Sequence, residues 1–150
     1  MKKIWGFTLI ELVVVLIIVG ILAVTILPRF ANKSDFEQAG FRDQVRASLQ
    51  YARKIAVASR RYVCVTVGAS SVSLQVDPRL PENAGSPYCS VTPVSLLMPG
   101  SSTATLTAPS SVALGTATFT FDPLGQASAA TSISITGGSP IQVEQAGYVH

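Results

Sequence analysis

The feature that most constrains this chain is an apolar run that begins almost at its first residue. From Phe7 to Leu27 the only charged residue is Glu11. A helix over these 21 residues would be about 32 Å long at ~1.5 Å per residue, enough to cross the core of a bilayer. Lys2 and Lys3 precede the run and favour a cytoplasmic N-terminus. The sequence therefore predicts a single-pass membrane helix followed by an exported domain.

Glu11 distinguishes this segment from a plain membrane anchor. An ionised carboxylate at mid-depth costs about 2.5–3.5 kcal/mol and is expected to have a partner, yet the run contains no basic residue. Nothing within the run resembles the small-residue site of an ordinary signal peptidase. A cut between Gly6 and Phe7 would create an α-amino group four residues before Glu11, and this amine could neutralise the carboxylate of a neighbouring copy. A bitopic membrane protein with a periplasmic β domain is the alternative.

The residues G-F-T-L-I-E-L, which start at Gly6, resemble the class III prepilin signal of type IV pilins and type II secretion pseudopilins. This resemblance implies that residues 1–6 are a leader removed by a prepilin peptidase, that Phe7 becomes N-methylated, and that Glu11 docks an incoming subunit. It also implies that residues 7–28 form the core of a filament. The implied partners are other pilin or pseudopilin subunits, the prepilin peptidase and an inner-membrane assembly platform.

Gly20 and Pro28 mark the part of the apolar helix that is expected to deform. Proline at position 28 removes the hydrogen bond to the carbonyl of Val24, and glycine weakens a helix by about 1 kcal/mol relative to alanine. The pilin resemblance implies that this region melts locally in the filament. A simple kink in a membrane helix is the alternative.

Residues 29–61 are predicted to form an amphipathic helix. The segment from Asp35 to Arg61 contains no proline, and its apolar residues recur at intervals of three or four, which places them on one helical stripe. This stripe is suited to packing against a sheet. Its members are Phe41, Val45, Leu49, Ala52 and Ala56.

Four arginines lie within about 40° of one another beside this stripe. They are Arg42, Arg46, Arg53 and Arg60, and we call them the basic ridge. An exported basic ridge could bind the phosphates of DNA, or adhere to a surface, at the tip of a filament. The favoured alternative is that these arginines are solvated or pair with acidic residues of the sheet or of neighbouring subunits, because no aromatic residues are interleaved with them.

After Arg61 the apolar period changes from 3.6 to 2, which predicts a mostly antiparallel β domain over residues 62–150. The fold class is therefore α+β, with a long N-terminal helix packed on an antiparallel sheet. Asp122 to Gly125 predicts a turn, and Gly137-Gly138 is more typical of a turn than of a phosphate site. The predicted strands are Tyr62–Val67 and Ser71–Val76 as a hairpin, then Thr103–Thr107, Ala117–Phe121, Thr131–Thr136 and Ile141–Glu144.

The two cysteines, Cys64 and Cys89, are expected to form a disulfide because an exported domain folds in an oxidising compartment. Closing a loop of this length stabilises a small domain by about 3 kcal/mol. Two separate buried thiols are the alternative. Two cysteines and the terminal His150 cannot complete a four-ligand zinc site, so no metal and no cofactor are expected.

Two longer stretches narrow the resemblance. Residues 41–67 and F-D-P-L-G at 121–125 resemble the pseudopilin H and FimT subgroup, whose members are low-abundance subunits of pili or secretion pseudopili. The nine residues from Asp35, together with G-Y-V from Gly147, are similar to minor pilins of the mannose-sensitive haemagglutinin (MSHA) pilus. The resemblance implies a structural minor pilin or pseudopilin that assembles into or primes a type IV pilus. A type II secretion pseudopilin is the alternative.

Catalysis is not expected from this sequence. No histidine precedes residue 150, so a nucleophile would lack a positioned imidazole base. Beyond residue 61 only four acidic residues occur, and they are scattered along the chain. The sequence therefore predicts a protein that acts by assembly and not as an enzyme.

Overall fold

The structure, a computed structural model, describes residues 7–26 and 33–150. The chain divides into two compact units, one up to Lys33 and one from Ser34 to His150. The predicted leader with Gly6, the predicted kink at Pro28 and the predicted start of the amphipathic helix at residue 29 lie outside the described residues.

Within the first unit, helix α1 spans Leu9–Ile26. Thr8 caps its start, because its carbonyl accepts the backbone N–H of Glu11 at 3.1 Å and that of Leu12 at 3.2 Å. The helix continues through Gly20. Within the ranges that the structure describes, none of the helices combines the length and the apolar character that a membrane crossing requires.

Within the second unit, helix α2 spans Lys33–Ser59. The predicted helix extended two residues further, to Arg61. The helix ends earlier because Arg60 adopts a left-handed conformation with φ of 53°. The N–H of Arg60 then bonds to the carbonyl of Val57 at 3.4 Å, and that of Arg61 to the carbonyl of Ala56 at 3.2 Å. This pair of bonds is a Schellman motif.

The described part of the β domain contains strands in two antiparallel sheets. The larger sheet has the order β3-β2-β1-β5, with β4 also pairing with β2, and the smaller sheet pairs β6 with β7. These strands are β1 Val63–Val67, β2 Ser71–Val76, β3 Val94–Ser95, β4 Thr105–Thr107, β5 Ala117–Phe121, β6 Thr131–Ile135 and β7 Gly138–Val143.

The core lies between α2 and the sheets. The five predicted stripe residues of α2 are all at most 3% exposed. They share one buried cluster with the alternating inward residues of the strands, including Val65 of β1, Leu74 of β2 and Phe121 of β5. The periodicities of 3.6 and 2 therefore meet in a single apolar interior, and the α+β fold class is confirmed.

The predicted hairpin of β1 and β2 is confirmed, with Val63 opposite Val76 and Val67 opposite Val72. Strand β3 was not predicted, because two residues are too short to show an alternation. The strand β7 begins three residues earlier than predicted, because the left-handed turn at Gly137, with φ of 74°, lets pairing start immediately. The strand β4 is limited to the last three residues of its predicted range.

Candidate functional site

Helix α1 exposes apolar side chains around its whole circumference. From Phe7 to Leu22 the exposed fractions of the large apolar side chains run from 40% to 80%. A helix that is apolar on every side is stable only when it is covered, either by lipid or by other protein. The apolar surface of α1 is therefore a surface for contacts outside its own chain.

One carboxylate interrupts this surface, in the first turn of α1. The backbone N–H of Glu11 is held by Thr8, whose Oγ1 lies 3.4 Å away, and the side chain of Glu11 is exposed. Phe7, the predicted methylated residue, precedes the helix and is 80% exposed. Both predicted assembly residues are thus accessible at one end of α1, while Gly6 lies outside the described residues.

Gly20, the predicted point of deformation, lies inside α1. A Cβ atom added there would meet none of the described atoms within 4 Å. Contacts among the described residues therefore do not require glycine at this position. Local melting at Gly20 stays a prediction, as does the kink at Pro28.

Two arginines of the basic ridge bind carbonyl groups of the β domain. The Nε of Arg42 donates to the carbonyl of Ser139 at 3.0 Å. The Nε of Arg53 donates to the carbonyl of Gly125 at 3.1 Å, and its guanidinium lies 4.9 Å from the centre of the Tyr148 ring. These arginines connect α2 to the turns of the domain, and their partners are backbone carbonyls, whereas the favoured prediction was that the ridge is solvated or pairs with acidic residues.

The other two arginines of the ridge have different environments. Arg46 is half-buried, and within the described residues its buried Nε has no hydrogen-bond partner. Arg60 is exposed beyond the end of α2. The ridge is therefore not one continuous surface of available cations, and nucleic-acid binding by it stays a prediction.

The F-D-P-L-G motif at residues 121–125 and the G-Y-V motif that starts at Gly147 contact each other in the folded domain. Gly125 of F-D-P-L-G and Gly147 of G-Y-V both have left-handed backbones, with φ of 81° and 85°. A Cβ at Gly125 would come within 2.9 Å of a methyl group of Val57, and one at Gly147 within 2.9 Å of the Nε of Arg53. Both positions therefore need glycine for conformation and for space. The two motifs pack against each other, and the side chain of Arg53 lies over the contact between them.

The predicted disulfide is present. Cys64 of β1 and Cys89 are joined by an S–S bond of 2.09 Å. The bond closes the loop that follows β2 and returns it to the middle strand of the larger sheet. Cys89 itself has a left-handed backbone, with φ of 55°.

A buried ion pair also holds this loop, and the sequence reasoning missed it. Asp77 is fully buried, and its two carboxylate oxygens accept hydrogen bonds from the Nε of Arg79 at 2.9 Å and its Nη2 at 2.6 Å. The carboxylate also accepts the backbone N–H groups of Arg79 at 3.0 Å and Cys89 at 2.7 Å. The sequence D-P-R directly after a strand was the available signal.

These contacts stabilise the charged form of Asp77. The hydrogen bonds from Arg79 lower the pKa of the Asp77 carboxyl far below its usual range, although burial alone would raise it. The backbone N–H groups of Cys89 and Arg79 add to the lowering. The Asp77 carboxylate thus remains ionised and keeps Cys89 next to β2.

Two tyrosines stack where the loop meets the sheet. The rings of Tyr62 and Tyr88 have centroids 3.8 Å apart and planes inclined by 16°. The pKa of Tyr62 is raised by its hydrogen bond with Tyr88, by burial, and by electrostatic repulsion from Tyr88 and Asp122. The hydroxyl group of Tyr62 is therefore protonated at neutral pH.

An apolar N-terminal helix with one carboxylate, followed by a helix packed on an antiparallel sheet, defines a pilin-like protein. Residues 42–147 match the family model of the type II transport protein GspH. Residues 1–27 match the prokaryotic N-terminal methylation motif. The chain belongs to the GspH family, and its methylation motif indicates a membrane-anchored pilin.

Solved structures support the fold. Two crystal forms of the type IV minor pilin FimU of Pseudomonas aeruginosa, strain PAO1, are each 16% identical in sequence to this chain. They align with TM-scores of 0.52 and 0.51 over 76% and 75% of this chain, and over 87% and 90% of FimU. None of the curated proteins matches the sequence. The narrower resemblance to MSHA minor pilins stays a prediction.

Proposed function

We propose that this chain is a minor subunit of a type IV pilus, made as a single-pass inner-membrane precursor, cut after Gly6, N-methylated at Phe7 and assembled through α1. The observation that carries the proposal is the surface of α1, which is apolar all round and holds a single accessible carboxylate. Lys2 and Lys3 support a cytoplasmic N-terminus for the precursor. The proposed membrane span, residues 7–28, extends past the last described residue of α1.

The bilayer and then the filament would keep the same apolar surface of α1 out of water. In the membrane, lipid would surround the apolar side chains of α1. In the filament, neighbouring copies of the same kind of helix would replace the lipid, so the apolar surface stays out of water in both states. Little apolar transfer energy separates the two states, and a polar interaction can then decide between them.

Glu11 is the group that makes this difference. A carboxylate in an apolar medium is costly when it is alone. An α-amino group at Phe7 of an adjacent subunit would supply the opposite charge, and a charge pair is strong in a medium of low dielectric constant. In this proposal the amine and the carboxylate belong to different subunits, so their attraction is gained on assembly.

The first test replaces the charge of Glu11 while keeping its shape. Glu11→Gln should leave membrane insertion intact and reduce incorporation into filaments about tenfold or more, a loss of at least ~1.4 kcal/mol per subunit. Fractionated membranes and sheared filaments give the two quantities. Asp43→Asn is the matched control, because it removes the same charge from an exposed position of α2. Normal incorporation of Glu11→Gln would refute the role of the carboxylate.

The second test concerns processing. Mass spectrometry of the chain from cells that contain a prepilin peptidase should show Phe7, methylated on its amino group, as the first residue. A chain that still begins at Met1 in such cells would support the alternative of a plain bitopic membrane protein. A chain that is processed but enters a secretion pseudopilus would identify it as a type II secretion pseudopilin.

A further inference from the structure

A hollow of about 270 Å³ lies at the end of the larger sheet where the disulfide loop meets it. Five segments of the chain reach it: the start of β1, the disulfide loop, the end of β5, the turn that follows β5 and the residues after β7. The lining residues used below are Tyr62, Tyr88, Thr120, Asp122, Gln126 and Gln145. None of them belongs to α1 or to the basic ridge.

The stacked tyrosines provide the aromatic part of the lining, and both are held by the core. Tyr88 adjoins Cys89 of the disulfide, and Tyr62 lies two residues before Cys64. The carbonyl of Tyr62 also accepts the N–H of Asp77 at 2.9 Å. Because the disulfide and the Asp77 contacts fix both ends of the pair, the rings are positioned before any ligand arrives.

Backbone hydrogen bonds join the remaining segments. The N–H of Asp122 bonds to the carbonyl of Gln126 at 2.9 Å, and the carbonyl of Gln145 accepts the N–H of Ala127 at 2.9 Å. The Oδ1 atom of Asp122 accepts the N–H groups of Leu124 at 2.9 Å and of Gln126 at 2.8 Å, so a ligand would meet its other oxygen, Oδ2. Across the described residues, the amide side chains of Gln126 and Gln145 form no hydrogen bond within the domain, and both residues are exposed.

The chemistry of the lining selects a class of ligand. The lining residues that the structure describes include no lysine, arginine or histidine, so a phosphate or another anion would find no opposite charge. One carboxylate, two amides and several hydroxyls offer both donors and acceptors. Aromatic rings beside such groups suit a ligand with an apolar face and polar edges, as a sugar ring has.

We propose that this hollow binds one neutral pyranose ring of a glycan. The ring's C–H face would lie against the tyrosine pair, and adjacent hydroxyls would bond to Gln145, Gln126 and the carboxylate of Asp122. The volume of about 270 Å³ is slightly below the range of about 300–1,000 Å³ for ordinary ligand pockets, which fits a single ring. The subunit would then attach its filament to neutral saccharide surfaces.

The experiment uses the full chain in a zwitterionic detergent without a sugar headgroup. The probes are glucose, galactose, mannose and N-acetylglucosamine, with glucuronate and glucose 6-phosphate as anionic comparators, and binding is measured by saturation-transfer NMR and titration. At least one neutral sugar should bind with a Kd in the millimolar range, about 1–10 mM, and more tightly than both anions. Gln145→Ala should weaken that binding about fivefold or more, and Tyr88→Ala, which removes the aromatic face, should weaken it at least as much.

Gln142→Ala is the matched control, because Gln142 is an exposed glutamine of β7 whose amide bonds to Ser132 outside the hollow. It should bind the sugar like the unaltered chain. Absence of neutral-sugar binding at tens of millimolar, preference for an anion, or equal binding by Gln145→Ala would each overturn the proposal. Gln145→Ala should still enter filaments normally, so a failure of sugar binding is distinguishable from a failure of assembly.

Discussion

The two helices of this chain bury their apolar residues in opposite ways. In α2 the five apolar residues of one stripe are at most 3% exposed, and they are covered by strands of the same chain. In α1 the large apolar side chains from Phe7 to Leu22 are 40% to 80% exposed. The pattern of α2 is explained by its own domain, whereas the pattern of α1 is not explained by burial within its own compact unit.

The polar residues follow the same division. Arg42 and Arg53 extend from α2 to carbonyls of the β domain, so charged groups of this helix also serve the fold. The single carboxylate of α1, Glu11, lies in a separate compact unit, and its side chain is exposed. The difference indicates that the side chains of α2 serve the folding of its own domain, whereas those of α1 serve assembly.

The largest expected effect separates the two helices directly. Leu49→Ala removes a fully buried side chain of α2 and should lower the free energy of unfolding by about 2–5 kcal/mol. Leu16→Ala in α1, where the side chain is 63% exposed, should leave the unfolding of the domain unchanged. Urea unfolding of the full chain, followed by circular dichroism, measures both. Equal losses would show that α1 and α2 are stabilised in the same way.

The second prediction concerns the Asp77 ion pair, which stabilises the domain through contacts within its own chain. Asp77→Asn keeps the shape of a buried side chain but loses the charge that accepts two bonds from Arg79. It should destabilise the domain by about 2 kcal/mol. Thermal unfolding at neutral pH measures the loss, and Asp43→Asn on the exposed face of α2 serves as the control that should lose almost nothing.

The same residue predicts a pH dependence. Because the pKa of Asp77 is lowered in the folded domain, its contribution to stability is complete above the unfolded pKa of about 3.9. The contribution is lost as the pH falls through that value towards the folded pKa. The unaltered chain should therefore lose more stability between neutral and acidic pH than Asp77→Asn loses. Parallel acid unfolding curves for the two proteins would contradict this assignment.

The sequence predicted those parts of the fold that depend on local periodicity. The stripe of α2 follows from apolar residues spaced three or four apart, and the hairpin of β1 and β2 follows from alternation with a period of two. The turn at Gly125 follows from single turn-forming residues. All three are present. The strand β3 was missed because two residues are too short to show an alternation. The Asp77 ion pair was missed although its two residues are close in the chain, because the burial of Asp77 and its bond to the N–H of Cys89 depend on the folded loop. The carbonyl partners of Arg42 and Arg53 lie 97 and 72 positions away in the chain, beyond any local pattern.

The candidate site residues also differ in whether the sequence alone could predict them. Gly6, Phe7 and Glu11 could be located from the sequence alone, since their motif is short and contiguous. The hollow at Tyr88 and Gln145 could not, because five separate segments build it. A contiguous motif was enough to propose the residues that contact other subunits, whereas the folded domain is needed to propose where a ligand could bind.

The smallest expected effect tests whether α2 ends for reasons within its own domain. Arg60 occupies the left-handed position of the Schellman motif, where a residue with a Cβ is strained by about 1 kcal/mol. Arg60→Gly should relieve this strain and raise the free energy of unfolding by about 0.5–1 kcal/mol. The gain is reduced by the lost attraction between the Arg60 charge and the helix C-terminus, which salt screens. The gain should therefore be larger in high salt.

Ser59→Gly provides the opposite sign one residue earlier. Ser59 is the last residue of α2 and its hydroxyl donates to the carbonyl of Ile55 at 2.6 Å, so glycine there should cost about 0.5–1 kcal/mol. Thermal unfolding of the two variants in low and high salt measures both changes. If Arg60→Gly also destabilised the domain, a contact made by the Arg60 side chain would outweigh the strain of its backbone. The end of α2 would then depend on that side chain, and the contrast with α1 would be weaker than the burial of its stripe suggests.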